Sequence, residues 1–454
     1  DAEEKATAIM KGRSISLCLL ASSLPAEANP AASAEKPNVI FILADDLGYG
    51  DLGCYGQKLI QTPNIDRLAA EGMRFTQAYS GTSVCAPSRC ALLTGKHIGH
   101  AAIRANRVYK PEGQEPLPAD AFTVAELFKR DGYETGAFGK WALGNLESTG
   151  APDRQGFDAF FGYNCQNLAH NYYPAYLWRN RERVELDGKT YSHDLIAGEA
   201  LDWIRGHAGE PFFAYLPVTI PHYNWQVPDT GIYKDKPWPE ERKINAAMIS
   251  RLDATVGQLL DLLKSKGIDD KTLVFFASDN GADNPGALEL FHSNGILRGI
   301  KRTMYEGGIR VPFIARWPGH IPAGAVNETP VAFYDFLPTM ADLLGEALPE
   351  GVQADGVSIL PMLTGGSPPK RDFLYWELHE KGFIQAARMG DWKGVRNKPG
   401  GAVELYNLAK DPTESTDVAA ENPDIVARIT AILDREHAPD PKWPLGPKKE
   451  TSAQ

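Results

Sequence analysis

Asn38-Val39-Ile40-Phe41-Ile42-Leu43-Ala44-Asp45-Asp46 is an uninterrupted apolar run closed by two carboxylates. A strand with one wet face alternates polar and apolar residues. A run without alternation belongs to a strand covered on both faces, as in the parallel sheet of an α/β protein. Thr272 to Ser278 repeats the pattern and is followed by Asp279-Asn280. Thr135 to Trp141 and Pro211 to Ile220 read as two further buried strands. Helical signals lie between them. Thr62-Pro63 offers an N-cap and an N1 proline for a helix closing at Gly72. Thr123 and Glu126 form a capping box. Ile244, Met248, Leu252, Val256, Leu260 and Leu263 share one face of a long helix. Strands alternating with helices predict a large α/β domain with a mostly parallel sheet flanked by helices.

Beyond about residue 345 the texture changes. Short segments at Phe373–Glu377, Gln385–Met389, Trp392–Arg396 and Glu404–Asn407 alternate with turns, and a helix is expected over Asp424–Glu436. This predicts a small C-terminal domain with an antiparallel sheet and a helix. The expected boundaries are a leader at 1–35, an α/β domain at 36–345, a C-terminal subdomain at 346–440 and a tail at 441–454.

The leader reads as an export signal. Met10-Lys11-Gly12-Arg13 gives a positive start, Ile15 to Leu24 a short apolar stretch, and Ala32-Ser33-Ala34 a small-residue cleavage site. The stretch is too short to span a bilayer. A periplasmic or secreted protein with no integral membrane segment is the expectation. The 454-residue chain has a formal net charge of −11, which argues against nucleic acid as the main partner. Cysteines 18, 54, 85, 90 and 165 are too few and too scattered for a disulfide framework.

Each buried strand runs into a residue of catalytic type: Asp45-Asp46, Lys140, His222, and Asp279-Asn280. Ligands of open α/β sheets bind at the carboxyl ends of the strands, so these scattered positions are expected to converge. Asp45, Asp46, Asp279 and Asn280 form an all-oxygen set suited to Ca²⁺ or Mg²⁺ rather than zinc. Either pair alone also makes a good turn. Residues 85–95, Cys-Ala-Pro-Ser-Arg-Cys-Ala-Leu-Leu-Thr-Gly, read as a helix with Cys85 at its anion-favouring N-terminus.

That run, with Cys85, Pro87, Ser88, Arg89 and Leu93-Thr94-Gly95, resembles the signature of type I sulfatases in the alkaline phosphatase superfamily. The resemblance extends over about residues 36–420. It implies that Cys85 is oxidised to formylglycine by a formylglycine-generating enzyme and that one Ca²⁺ is held by Asp45, Asp46, Asp279, Asn280 and residue 85. It also implies that Arg89 holds the formylglycine, that Lys140 and Lys301 bind sulfate, and that His222 with Lys301 donates to the leaving oxygen. Hydrolysis of a sulfated saccharide or an aryl sulfate is the implied activity. A phosphodiesterase or phosphonate monoester hydrolase of the same superfamily, or a non-catalytic glycan-binding relative, are the competing readings.

One position departs from the pattern. Most sulfatases have Gly-Lys-Trp-His-Leu-Gly where this chain has Gly139-Lys140-Trp141-Ala142-Leu143-Gly144. The absent histidine is a candidate base for sulfate elimination, and His170 is the candidate replacement. For substrate contact the sequence nominates His100, Arg104 and Asn106 after the signature helix. It also nominates Asn171 and the nearby aromatics Tyr172, Tyr173, Tyr176 and Trp178, whose alternative role is core packing, and His379 in the C-terminal part.

Overall fold

The computed structural model describes residues 36–283, 285–380 and 382–445. The expected leader falls at positions 1–35, outside the described residues. The described residues form one compact unit. Its main sheet contains, in chain order, β1 (Asn38–Ala44), β2 (Met73–Phe75), β3 (Glu134–Lys140), β4 (Ala159–Tyr163), β5 (Tyr176–Arg179), β6 (Glu182–Glu185), β7 (Phe212–Pro217), β8 (Thr272–Ser278), β9 (Phe313–Arg316) and β10 (Ala325–Asn327). The spatial order is β10-β2-β9-β8-β1-β7-β3-β4-β5-β6. The central strands β8, β1, β7, β3 and β4 are parallel neighbours. Antiparallel pairs β8–β9, β9–β2, β4–β5 and β5–β6 extend the sheet on either side.

The reading of β1 explains the layering. Val39, Phe41 and Leu43 pack into one apolar cluster, and Ile40, Ile42 and Ala44 into another on the opposite face. Helices α1 (Pro63–Ala70), α2 (Cys85–Thr94), α3 (Val124–Arg130), α4 (Ser192–Gly206), α5 (Glu240–Lys266) and α6 (Phe336–Leu344) supply the two covers. Residues of α2, α3 and α6 lie with the first cluster, and residues of α1, α4 and α5 with the second. The α5 face foreseen from Met248, Leu252, Val256, Leu260 and Leu263 is the buried one.

Local signals fared unevenly. The capping box is present: Thr123 Oγ1 accepts from Glu126 N–H, and the Glu126 carboxylate accepts from Thr123 N–H. Thr62 precedes Pro63 at the N-cap but does not cap. Its hydroxyl donates to Asp66 and accepts from Gly53 N–H at 2.8 Å, tying the preceding turn to α1 instead. The strand expected through Ile220 stops at Pro217, and the remaining residues form the approach to His222. Strands β2, β9 and β10 have three or four residues each, too short to carry a pattern; β10 pairs parallel with β2.

The small antiparallel sheet comprises β11 (Leu374–Leu378), β12 (Ile384–Met389), β13 (Trp392–Arg396) and β14 (Glu404–Asn407) in consecutive order. Alternate residues again sort by face. Tyr375, Ala387 and Leu405 pack on α7 (Pro423–Arg435), while Trp376, Ala386 and Tyr406 pack against Tyr79, Val84, Met304 and Ile309. The second face thus supports the segments that carry Cys85 and Lys301.

A buried carboxylate joins the sheet to its surroundings. Glu377 on β11 accepts from Arg104, from the Tyr375 hydroxyl at 2.5 Å, and meets His379 and His437 at 2.9 Å each. Burial opposes its ionisation, but these partners outweigh burial and hold the carboxyl at about 2. A depressed carboxylate pKa stabilises the fold above the unfolded value, and that contribution disappears as pH falls toward 2. Acid titration of unfolding should therefore show a Glu377-dependent loss of up to about 3 kcal/mol between roughly pH 4.5 and 2. Urea midpoints across this window should be flatter for Glu377→Gln than for the parent chain. Parallel curves would contradict the assignment.

Candidate active site

The parallel strands β1, β3, β7 and β8 deliver their carboxyl ends to one pocket. Asp45 and Asp46 follow β1, Lys140 ends β3, His222 follows β7, and Asp279 and Asn280 follow β8. The signature residues form α2, with Cys85 as its first residue and Gly95 (φ 68°) closing it in the left-handed conformation. Asn106 Oδ1 accepts the Ala86 N–H at 3.0 Å, so this residue secures the start of the signature helix. Gly139, just before Lys140, has φ 139°, and a Cβ there would lie 2.1 Å from Pro217 O. Only glycine lets β3 and β7 end so close together.

These residues contact one another directly. Cys85 Sγ lies 3.4 Å from Asp45 Oδ1, and Lys140 Nζ 2.6 Å from Asp45 Oδ2. Arg89 donates through Nε and Nη2 to Asp279 Oδ2 at 3.1 and 2.8 Å, and through Nη1 to Lys140 O at 2.7 Å. Lys301 Nζ stands 2.7 Å from Asp46 Oδ2 and 3.2 Å from His222 Nε2. His222 Nδ1 faces Tyr223 O at 2.8 Å. A ring nitrogen beside a carbonyl must carry the proton, which leaves Nε2 to face Lys301 and Asp46.

The electrostatics follow from burial among charges. Burial pushes the Asp45 carboxyl up, but Lys140, His222, Arg89 and Lys301 hold it well below its ordinary range. Asp279, also buried and beside Asp45, is pushed up to about 7 despite Arg89. Burial and the Asp45 charge keep the Cys85 thiol well above its usual value, so the unmodified cysteine is a poor nucleophile. His170 stacks flat on His222, with ring centroids 4.0 Å apart and an interplanar angle of 8°. Burial, then the Lys140 and His222 charges, drives its pKa to about 2, so the ring is neutral. Its Nε2 is buried without a partner.

The oxygen set fits a hard divalent cation. Asn280 Nδ2 donates to Asp46 Oδ1 at 2.7 Å and to Gly281 O at 2.9 Å, which leaves Oδ1 buried and unpartnered. Asp45, Asp46, Cys85 and His222 each offer a ligand atom within 4.8 Å of the others. Asp279 is engaged differently from the simple expectation: Arg89 takes Oδ2, and Oδ1 accepts the Asp46 N–H at 3.2 Å.

The other nominated residues have separate roles. His100 lies beyond the C-terminal end of α2, against Asp355 at 3.0 Å, on the far side of the helix from Cys85. Arg104 is buried, its guanidinium spent on Glu377, Ala101 O and Ala438 O. His379 shares Glu377 with it. Trp178 donates to Glu112 at 2.6 Å, and the Asn171 side chain accepts from Tyr173 N–H. Tyr172 is a core residue whose hydroxyl donates to Thr219 O and His222 O at 2.9 Å, fixing the His222 loop. No sequence signal marked that role, because a buried tyrosine and a ring-stacking one look alike in sequence.

Residues 37–346 match the family described as Sulfatase, and residues 300–437 match the C-terminal region of N-sulphoglucosamine sulphohydrolase. The chain belongs to the sulfatase family. It is 35% identical to N-acetylgalactosamine-6-sulfatase of Canis lupus familiaris, over 89% of this chain and 86% of that protein. It is 33% identical to arylsulfatase A of Homo sapiens, over 90% of each chain. A crystal structure of Ps i-CgsB in complex with k-i-k-neocarrahexaose superposes with a TM-score of 0.81 at 31% identity, covering 91% of this chain and 95% of that one. The sulfatase is therefore a sulfuric ester hydrolase with an alkaline phosphatase-like fold. No helix among its described residues is long and apolar enough to cross a membrane.

Proposed function

We propose that this sulfatase hydrolyses sulfate esters of a carbohydrate, using formylglycine made from Cys85 by a formylglycine-generating enzyme and one Ca²⁺. The observation that carries the reading is the position of Cys85: first residue of α2, 3.4 Å from Asp45, inside a ring of Arg89, Lys140, Lys301 and His222. The likeness to an N-acetylgalactosamine-6-sulfatase and to a carrahexaose-bound protein supports a sugar sulfate as substrate. The Met10–Ala34 pattern supports export.

Asp45, Asp46, Asp279 and the Asn280 carboxamide oxygen would hold the cation with residue 85. A cation bound there would offset the charge of sulfate oxygens and lower the pKa of a hydroxyl at residue 85. As hydrated formylglycine, residue 85 would offer two hydroxyls, one to attack sulfur with release of the alcohol and one whose deprotonation would let sulfate leave as the aldehyde reforms. Lys140 and Lys301 bind the sulfate oxygens, and Arg89 positions residue 85. His222 and Lys301 share a proton at their 3.2 Å contact and pass it to the leaving oxygen. The site is mostly a positioning and charge-stabilising device, as in phosphoryl transfer.

Ala142 is buried with φ 62° and carries no proton-transfer group. We assign that work to His170, which stacks on His222 and whose buried Nε2 has no partner. His170→Ala is expected to lower kcat by about 10²- to 10⁴-fold, the range of a lost general base. Alcohol should then appear as a burst comparable to enzyme concentration, followed by slow turnover. Unchanged kcat at saturating substrate would remove His170 from the mechanism.

The substrate reading is tested by assaying formylglycine-bearing enzyme with Ca²⁺ against sulfated mono- and oligosaccharides, alkyl and aryl sulfates, and phosphate diesters. Preference for a sugar sulfate by kcat/KM supports it. Preference for a phosphate diester, or for sulfates without a sugar, would overturn it.

A further inference from the structure

We propose, on the sugar-sulfate reading above, that Asp283, Arg302 and Glu380 select the leaving group. They bind the hydroxyls of an uncharged sugar at the scissile sulfate and reject a sugar with a second anionic group beside it. The three side chains continue outward from the buried Lys301. Lys301 Nζ lies 3.7 Å from Asp283 Oδ2, Arg302 Nη1 donates to both Asp283 oxygens at 3.2 Å, and Arg302 Nε faces Glu380 Oε2 at 3.3 Å. Charge alternates along this row, and exposure rises from 1% at Lys301 to 26% at Asp283 and 36% at Arg302. The row leads from the sulfate-binding lysine to solvent, where the sugar of a bound ester must lie.

Backbone contacts fix the row in place. Lys301 N–H donates to Ala282 O at 3.1 Å, and Arg302 N–H donates at 2.9 Å to the carbonyl of Ser83, two residues before Cys85. Arg302 has φ 71°, a left-handed conformation that a non-glycine residue keeps only where its surroundings hold it. Glu380 arrives from the small sheet, on the segment after β11. There Thr82 Oγ1 donates to Glu377 O at 2.9 Å and His379 N–H to Arg104 O at 3.2 Å. Three separate segments therefore bring these side chains to the edge of the Cys85 pocket.

Bonding within the row is incomplete. Arg302 Nε and Glu380 Oε2 are buried and close, yet neither has a well-directed hydrogen bond. Arg302 Nη2 and Glu380 Oε1 have no hydrogen-bond partner among the described residues. A guanidinium that only latched two loops would spend its fork on the carboxylates. Here donors and acceptors are left over, and both kinds suit sugar hydroxyls. Two carboxylates offset the one guanidinium, so the group as a whole does not attract an anion. Asp283 stands beside the lysine that binds sulfate, where its charge opposes a second sulfate or a carboxylate on the same sugar. A site built to hydrogen-bond hydroxyls also discriminates against ligands that lack them.

The test compares kcat/KM of the formylglycine-bearing enzyme with Ca²⁺ for a monosulfated neutral sugar, its deoxy analogues and the same sugar with a second sulfate. The parent should prefer the first. Arg302→Gln should cut the preference over a deoxy analogue at least about tenfold, mostly through KM. Asp283→Asn combined with Glu380→Gln keeps the size of both side chains and removes their charge. Preference for the monosulfated over the disulfated sugar should then fall at least about tenfold, with a gain on the disulfated one that misfolding cannot produce. Equal losses on all substrates would make the row a structural latch and overturn the proposal. A parent that prefers the disulfated sugar, or variants with the parent's preferences, would overturn it equally. A parent that cleaves aryl sulfates but no sugar sulfate would instead contradict the sugar-sulfate reading, and this proposal with it.

Discussion

Cys85→Ala should lower kcat for sulfate ester hydrolysis by about four orders of magnitude or more, the scale of a lost covalent nucleophile. Ground-state binding should change far less, because Lys140, Lys301, Arg89 and His222 all remain. The variant should fold: the side chain is small, and its partner Asp45 keeps Lys140 at 2.6 Å. Cys85→Ser is equally informative. It restores one hydroxyl but not two, so it can attack without a second hydroxyl to drive sulfate release. Steady-state kinetics with Tm measured in parallel separates a chemical loss from a folding loss. Parent-like kcat in Cys85→Ala would remove residue 85 from the chemistry.

The second large effect is on stability. Lys393 on β13 is fully buried, with Nζ 2.9 Å from Glu306 Oε1 and 2.8 Å from Glu414 Oε1. Tyr79 donates to Glu306 Oε2 at 2.8 Å, Arg388 donates to Tyr79, and Glu306 N–H donates to Glu414 at 2.6 Å. This network binds the small sheet to the segment that carries Lys301. Lys393→Met would leave two buried carboxylates facing each other without their shared cation. Breaking a buried pair in this way costs about 3–5 kcal/mol. Chemical denaturation should show that loss, and kcat/KM should fall as the Lys301 segment loosens. A loss below about 1 kcal/mol, the range of an exposed ion pair, would contradict the role assigned to Lys393.

The parts visible in the sequence are those governed by local pattern. The apolar runs 38–44 and 272–278 could only be buried strands, and the polar residues after them could only lie at strand ends. Cys85 at a helix start and Gly95 at its end likewise follow from neighbouring residues. What sequence could not supply are pairings across long separations. Lys393 with Glu306, and Arg104 with Glu377, are set by how the two sheets meet, and a charged residue in sequence reads as a solvated one. Thr62 looked like a cap because the choice between a backbone N–H and Asp66 depends on the turn at Gly53. His100 looked like a pocket residue because it follows the signature, yet the helix carries it to the opposite end. His170 was nominated from its place after the Lys140 strand, but its stacking on His222 required the fold.

The central claim is that residue 85, oxidised to the aldehyde, is the group on which turnover depends. The most direct measurement varies the aldehyde content of residue 85, by producing the chain with graded amounts of formylglycine-generating enzyme. The aldehyde fraction in the peptide spanning 85–95 is then compared with sulfate release per chain. A line through the origin is the predicted result. Activity that persists at zero aldehyde, or that does not follow it, would contradict the account.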